Sequence, residues 1–230
     1  MGICQRFERV SAEVAEVCRA AGRDPGEVDI VAVSKTVGPD AVGQAIAGGA
    51  HNFGENRPDS LMEKAAVYPH ENWHFIGNIQ SRRIPSIVEY AALIHSLYEE
   101  RHARKIDAAA AVIGKVQEVL LEVNVSGEAS KSGLSPDDVA ALLKVCGQLP
   151  HVRVRGLMTM APQGDRRTAL ATFEDLAKLH ATLRGSMPAD RAAVFDGLSM
   201  GMSEDWREAV HAGATIVRIG RAIFDDAFES

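Results

Sequence analysis

The sequence has few cysteines, few aromatic residues and no long apolar run. Its 230 residues include 3 Cys, 2 Trp and 3 Tyr, and aromatic residues make up 5% of the chain. Because the cysteines (Cys4, Cys18 and Cys146) are odd in number and lack CxxC spacing, we expect reduced thiols in a cytoplasmic protein, with no disulfide framework and no metal site. Apolar stretches such as 108–114 fall far short of the roughly 18 residues that a membrane span needs.

Charge of one sign is not concentrated anywhere in the chain. Lys and Arg number 25 and Asp and Glu 31, which gives a net charge of −6. Such a surface repels phosphate backbones, so nucleic acid is not expected as a partner. The start MGICQR lacks the basic and apolar regions of a signal peptide.

A repeating unit fills the rest of the chain, in which a short β-branched run, a turn and a helix-patterned segment alternate. A face of Ile3, Phe7, Val10, Val14 and Val17 first predicts an N-terminal helix that stops near Gly22. The predicted strands are 29–35, 51–53, 73–77, 93–97, 117–125, 152–159, 193–199 and 215–220. The predicted helices are 39–48, 56–66, 81–90, 99–112, 136–147, 167–184 and 203–212, with Ser203 as the N-cap of the last.

Eight βα units in a chain of this length predict an α/β fold, a (β/α)8 barrel that forms one domain over residues 1–230. The strands read as near-continuous apolar runs, as buried parallel strands do. A doubly wound open sheet is the alternative, because the second strand is short. A barrel places its functional residues where strands end, which here gives a polar rim from Lys35 to Gly220.

Two short motifs match hydrolase signatures without the surroundings those signatures need. HENWH at 70–74 matches the zinc-protease pattern HExxH, but its second half has strand character, and extended histidines lie about 13 Å apart. GLSMG at 197–201 matches the nucleophile elbow GxSxG. The candidate base His211 falls on the following helix, about 12 Å along its axis from Ser199, so no triad closes.

Phosphate binding is the other interpretation of the same loop. GLSMGMS offers small residues, backbone N–H groups and two hydroxyls before a helix start. Gly220 ends the eighth strand with a further helix start behind it, and barrels often hold phosphate after strands seven and eight. The alternative is that these glycines only turn the chain.

A lysine and an arginine on the same rim indicate which phosphate-containing ligand the site could bind. Lys35 shares a strand face with Val31 and Val33, so it points toward the barrel mouth, and Arg218 interrupts the apolar run TIVRIG, where a charge needs a partner. Together with a phosphate cradle they suggest pyridoxal phosphate, with Lys35 forming the imine and Arg218 facing the pyridine nitrogen. A nearby cation and partial burial are expected to lower the pKa of the lysine. Arginine donates only, so the ring nitrogen stays unprotonated, which suits racemisation or holding of the cofactor better than transamination.

At these residues the sequence resembles the pyridoxal phosphate homeostasis protein family, also called the proline synthetase co-transcribed homologue family. The resemblance runs along almost the whole chain. Its motifs are AVSKT (32–36), NFGEN (52–56), WHFIGNIQS (73–81), EVNVSGEASKSGL (122–134), RGLMTM (155–160), LSMGMSEDW (198–206) and VRIGRAIF (217–224).

The resemblance implies a barrel similar to the N-terminal domain of alanine racemase, and it implies roles for particular residues. Lys35 would carry the cofactor as a Schiff base, Arg218 would face the ring nitrogen and Asn56 would lie at the cofactor's edge. The phosphate would lie among Ser199, Ser203, Gly220 and Arg221. Lys131 matches a second family lysine that would take up or pass on the cofactor; the alternative is a solvated loop lysine.

Three functions follow from this resemblance and these residues. The favoured one is a non-catalytic carrier that holds pyridoxal phosphate and delivers it to apo-enzymes through transient contacts. The second is a small amino-acid racemase; racemases of similar fold take a tyrosine base from a further domain, which we expect this chain to lack, and Tyr68, Tyr90 and Tyr98 offer no obvious substitute. The third, a cofactor-free scaffold, leaves Arg218 without a buried partner. Without a dimerising domain, a monomer is expected.

Overall fold

Eight parallel strands close into a barrel within the described part of the chain. The computed structural model describes residues 1–128, 131–162 and 164–228. Each strand pairs with the next in chain order, and β1 pairs with both β2 and β8. The strands are β1 Asp29–Val33, β2 Asn52–Glu55, β3 Asn72–Phe75, β4 Leu93–Leu97, β5 Gln117–Glu122, β6 Val152–Met158, β7 Gly197–Ser199 and β8 Ile216–Ile219.

Helices surround this barrel and precede it. They are α1 Ile3–Ala20, α2 Pro39–Ala47, α3 Pro58–Val67, α4 Ile84–Tyr90, α5 Glu100–Val112, α6 Val139–Cys146, α7 Arg166–Gly185, α8 Ala189–Val194, α9 Trp206–His211 and α10 Arg221–Phe224. Phe7, Val10 and Val14 of α1 are buried, and the helix packs on α2, α9 and α10. No helix among the described residues is both long enough and apolar enough to cross a bilayer.

The predicted (β/α)8 barrel with an N-terminal helix is confirmed, and the open sheet is wrong because β1 and β8 are hydrogen-bonded neighbours. Two boundaries also differ. Residues 193–199 are not one strand: the alanine-rich segment Ala189–Val194 is helical and β7 spans only Gly197–Ser199. Ser203 is not an N-cap, because a turn closed by the Met202 N–H on the Asp205 carboxylate (2.6 Å) delays α9 to Trp206.

The barrel interior combines an apolar layer with a polar one. Side chains of alternate strand residues form a buried apolar cluster of Val31, Val33, Leu93, Leu120, Met158 and Ile216. Buried polar side chains lie among them, namely His74, His95, Glu122, Ser199 and Arg218. Since a buried polar group needs a partner, the connections among these five decide what the interior can do.

A buried ion pair fastens the loop after β1 to the second βα unit. Lys64 and Glu55 are 3% and 0% exposed, and the Lys64 ammonium binds the Glu55 carboxylate. Lys64 Nζ also donates to the backbone oxygen of Ser34 at 2.8 Å, and Ser34 Oγ donates to Glu55 Oε1 at 2.7 Å. The residue that follows Ser34 is Lys35, so this ion pair holds the backbone next to Lys35 in place.

Two glycines allow backbone segments to approach closely at the same end of the barrel. A Cβ at Gly77 would lie 2.1 Å from the backbone oxygen of Asn56, so the loops after β2 and β3 touch there. Gly201 has φ +90°, and a Cβ there would lie 2.6 Å from the Ala209 side chain. A larger residue at Gly77 would push the loops after β2 and β3 apart, and one at Gly201 would push the loop after β7 away from α9. These loops border the site described next.

Candidate functional site

A cavity of about 730 Å³ lies at the carboxyl ends of the strands, a volume usual for small-molecule sites. Six of the residues predicted from the sequence line it: Lys35, Asn56, Ser203, Arg218, Gly220 and Arg221. A second cavity of about 690 Å³ lies at the opposite end of the barrel. Barrel chemistry is found at the carboxyl end, so the first cavity is the candidate site.

Lys35 enters the cavity from the loop after β1, two residues beyond the last strand residue Val33. Its side chain is exposed, and the partial burial expected for it is therefore wrong. The lysine is open to solvent at the barrel mouth while its backbone is tethered through Ser34.

The loop after β7 and the start of α10 present a set of hydrogen-bond donors at the cavity, beside the end of β1. The Ala222 N–H donates to Ser203 Oγ at 3.3 Å, which fixes the hydroxyl at the start of α10. Among the described residues no acceptor takes the backbone N–H of Gly220 or Arg221. Free N–H groups beside a hydroxyl, at the end of a strand, are the donors that bind phosphate.

Arg218 lies on the cavity floor with its charge almost fully buried. It is 5% exposed and donates to Ser199 Oγ at 2.6 Å and to the Thr159 backbone oxygen at 3.0 Å. Burial lowers the pKa of Arg218 to about 10, with Asp205 and Glu122 opposing the shift. The guanidinium therefore remains a cation at neutral pH and can only donate.

Ser199 does not reach the cavity. It is 0% exposed, its Oγ accepts from Arg218, and the same Oγ lies 2.9 Å from His95 Nδ1. Both hydrogen-bonding directions of the hydroxyl are in use below the floor. The structure thus places Ser199 beneath Arg218 and apart from the donors of Ser203 and Gly220.

The remaining predicted residues differ in position. Asn56 lines the cavity. Lys131 lies outside the lining, with its Nζ 3.4 Å from Glu128 Oε2 and 3.5 Å from the backbone oxygen of Met160, which is a lining residue. Its neighbours Ala129 and Ser130, part of the motif at 122–134, lie outside the described residues.

Three carboxylates also line the cavity, and the sequence reasoning did not single out any of them as a site residue. Asp165 caps α7 by accepting from the Arg167 and Thr168 N–H groups. Glu204 is ion-paired with Arg221. Asp205 accepts from the Met202 N–H, and burial raises its pKa. Each carboxylate is engaged in local structure; the sequence signal was only their place after a strand.

The two hydrolase motifs take structures that do not suit hydrolysis. His70 is exposed in a turn and His74 lies on β3, so HENWH forms no helix. Within the described residues no group of three or more His, Cys, Asp or Glu side chains could hold a metal ion. Ser199 of GLSMG has a histidine partner, His95, which the sequence reasoning missed, but both residues are 0% exposed. No substrate carbonyl can reach that hydroxyl.

Glu122 is a buried carboxylic acid next to the floor of the site. It ends β5, is 3% exposed, and its Oε2 has no partner among the described residues. Burial raises its pKa from 4.5 to about 7, against the opposing charge of Arg218. In the folded protein Glu122 therefore binds a proton more tightly than it does in the unfolded chain.

That difference predicts a loss of stability as pH rises from about 4.5 to about 7, because the folded state there holds a proton that the unfolded state has released. Glu122→Gln should remove this slope, so that the free energy of unfolding falls less between pH 5 and pH 8 than in wild type, by on the order of 2 to 3 kcal/mol. Urea unfolding of both proteins from pH 5 to pH 8 measures it, with the exposed Glu89→Gln as control. Parallel curves for wild type and Glu122→Gln would contradict the assignment.

Known proteins match this chain over nearly its full length. The family described as alanine racemase, N-terminal domain, matches residues 8–227. A pyridoxal phosphate homeostasis protein from Pseudomonas aeruginosa is 40% identical over 225 residues, covering 96% of this chain and 94% of that protein. One from Deinococcus radiodurans is 40% identical over 216 residues, covering 94% and 97%. The chain belongs to the pyridoxal phosphate homeostasis protein family.

Solved structures agree with this membership. PipY of Synechococcus elongatus, determined with pyridoxal phosphate bound, has 33% identity and a TM-score of 0.79, covering 92% of this chain and 99% of that chain. Alanine racemase of Clostridium difficile has a TM-score of 0.72 at 13% identity and is covered over 58% of its length. The second likeness concerns the fold alone, and it confirms the expected similarity to the racemase barrel.

Proposed function

We propose that this family member binds pyridoxal 5'-phosphate in the cavity at the barrel mouth and holds it on Lys35 as a reversible Schiff base. One observation carries the proposal: a lysine, a set of anion-binding donors and a buried arginine line the same cavity of about 730 Å³. The relatives named for pyridoxal phosphate homeostasis, and PipY with that cofactor bound, support it.

The donors fit the phosphate end of the cofactor. Ser203, in the loop after β7, lines the cavity together with Gly220 and Arg221, where β8 ends and α10 begins. The Ser203 hydroxyl and the free N–H groups of Gly220 and Arg221 would serve as the donors. The Arg221 guanidinium adds positive charge at the same edge, although Glu204 shares it. Phosphate oxygens are strong acceptors, so these residues would fix that end without a metal ion.

Arg218 fits the ring end. When bound, pyridoxal phosphate supplies an aldehyde and, with a protonated ring nitrogen, an electron sink. Arg218 can donate a hydrogen bond to an unprotonated ring nitrogen, and because its pKa stays at about 10 it keeps its own protons at neutral pH. A ring held this way is a weak electron sink, which supports holding over turnover.

Lys35 fits reversible attachment. Its uncharged Nζ adds to the aldehyde carbon and one water leaves; the reverse reaction with water or with another amine releases the cofactor. The side chain is exposed at the mouth, so a second amine can reach the linkage. This openness supports delivery to apo-enzymes, which we propose are met transiently by a monomer.

The cavity lining also supports a carrier over the alternative, an amino-acid racemase. Among the described lining residues there is no Tyr, His or Cys to act as a second base, and Asp165, Glu204 and Asp205 are engaged. Of the tyrosines, Tyr68 donates to the Pro39 backbone oxygen. Racemisation needs a base on each face of the substrate, and Lys35 can serve only one.

The test separates delivery from catalysis. The protein loaded with pyridoxal phosphate is freed of unbound cofactor and mixed with an apo-enzyme that requires it, and regained activity is followed; the same loaded protein is incubated with L-alanine and D-alanine is measured. We expect reactivation by wild type, none by Lys35→Arg treated identically, and no D-alanine above the buffer blank. Steady D-alanine production would favour the racemase, and failure to reactivate would contradict delivery.

A further inference from the structure

A chain of four buried side chains crosses the barrel interior beneath the candidate site. Arg218 Nη1 donates to Ser199 Oγ at 2.6 Å, Ser199 Oγ lies 2.9 Å from His95 Nδ1, and His95 Nε2 lies 2.9 Å from His74 Nδ1. All four are less than a tenth exposed. His74 lines the cavity at the opposite end, so the chain spans the barrel from one end to the other.

Arg218 stands at one end of this chain of side chains, and it determines the direction of every hydrogen bond in the chain. A guanidinium only donates, so Ser199 Oγ must accept there, and its single proton is left to donate to His95 Nδ1. His95 is then the tautomer with its proton on Nε2, which it donates to His74 Nδ1. His74 in turn carries its proton on Nε2.

The same order requires neutral imidazoles. A proton on His95 Nδ1 would confront the Ser199 hydroxyl, which would have to accept from both neighbours and leave its own proton without a partner. Burial, His74 and Arg218 all lower the pKa of His95 well below its usual range, and burial lowers the pKa of His74 to about 4. Both rings therefore remain neutral acceptors and donors across the physiological range.

This neutral chain is what holds the arginine. Within the described residues the Arg218 guanidinium has two hydrogen-bond partners, Ser199 Oγ and the Thr159 backbone oxygen. Asp205 and Glu122 act on it through charge and make no hydrogen bond to it. A serine hydroxyl can rotate, so Ser199 accepts from Arg218 in a fixed direction only while His95 takes its proton.

We propose that His95, acting through Ser199, is a positioning residue for Arg218 and so for the pyridine ring of the cofactor that Arg218 faces. His74 extends the same role by fixing the His95 tautomer. The proposal rests on the proposed function for its ring end, whereas the arrangement of Arg218 can be measured without cofactor.

A matched pair of substitutions isolates the hydrogen bond from the ring. His95→Leu removes the acceptor for Ser199, whereas His95→Asn places an amide oxygen near the former Nδ1 and keeps it. We expect His95→Leu to weaken pyridoxal phosphate binding about tenfold and His95→Asn to stay within about threefold of wild type, since a lost buried hydrogen bond is worth about one decade. Ser199→Ala, a smaller change, should behave like His95→Leu.

Two readouts distinguish positioning from a general structural effect. With His95→Leu the absorption band of bound cofactor should vary with pH, because a ring nitrogen no longer facing a fixed donor can take a proton from water; the wild-type and His95→Asn bands should not. In nitrogen-15 NMR spectra of the cofactor-free protein, the Arg218 guanidinium signals should be sharp in wild type and His95→Asn and broadened in His95→Leu and Ser199→Ala.

The outcomes separate the two proposals. If wild type binds no cofactor, the proposed function and the ring end of this inference both fail, while the NMR comparison still decides whether His95 positions Arg218. If wild type binds and His95→Leu binds equally well with an unchanged band, the positioning role is overturned. A His95 signal showing a proton on Nδ1 in the cofactor-free protein would overturn it as well.

Discussion

Lys35→Ala is expected to abolish the visible absorption band that pyridoxal phosphate acquires when it is linked to a lysine. The phosphate donors and Arg218 remain, so some binding persists, but without the covalent link the dissociation constant should rise by at least about 100-fold. The reason is geometric: among the lysines that the structure describes, Lys35 is the one that lines the cavity.

The measurement is a titration of purified protein with pyridoxal phosphate followed by absorbance. Lys35→Arg keeps a cation at the mouth without a nucleophilic amine and should lose the band as Lys35→Ala does. The exposed Lys105→Ala should bind as wild type does. Lys131→Ala should also keep the band. If instead Lys131→Ala lost the band and Lys35→Ala kept it, the cofactor would be attached to Lys131.

Lys64→Met is expected to lower the free energy of unfolding by about 3 to 5 kcal/mol, the range seen when one partner of a buried ion pair is removed. Glu55, at 0% exposure, would keep one of its hydrogen-bond partners within the described part of the chain, the Ser34 hydroxyl. The Ser34 backbone oxygen would also lose its donor. Because that oxygen precedes Lys35, cofactor binding should weaken in the variant even where it remains folded.

Urea unfolding checks the size of this effect. Lys144→Met, an exposed lysine on α6, is the control and should change stability little. Lys64→Met with Glu55→Met should recover most of the loss, because replacing both partners of a buried pair with apolar residues is often close to neutral. A single Lys64→Met variant as stable as wild type would show that the pair does not hold the loop.

The sequence allowed the fold to be predicted because this barrel is built from local signals. Short β-branched runs such as β1 and β8 are buried on both faces, and turn residues separate them from amphipathic helices. The predicted strand 193–199 began too early, because its first residues, Ala193 and Val194, fit a helix as well as a strand. Only the fold decided that Ala189–Val194 is a helix.

The parts of the candidate site that depend on the type and position of a single residue could be predicted from the sequence. Arg218 lies inside an apolar run, so its charge had to have a partner. Lys35 follows the end of a strand, where barrels place their functional residues. The partner itself could not be predicted, because Ser199, His95 and His74 come together only when β3, β4, β7 and β8 close into one barrel. Histidines within strands β3 and β4 were the available signal, and the HENWH match drew attention from them.

The buried pair of Glu55 and Lys64 was missed for a related reason. Glu55 ends β2 and Lys64 lies nine residues later on α3, a spacing that ordinarily describes two solvated charges. Their burial depends on the packing of α3 against β2 and on the loop after β1. Neither property can be read from residue type.

Reductive trapping tests the central claim most directly. The wild-type protein is incubated with pyridoxal phosphate, reduced with borohydride to fix any Schiff base, digested and mapped by mass spectrometry. We expect one pyridoxyl phosphate on the peptide that contains Lys35. Labelling confined to another lysine, or no labelling under conditions where a known pyridoxal phosphate protein is labelled, would contradict it.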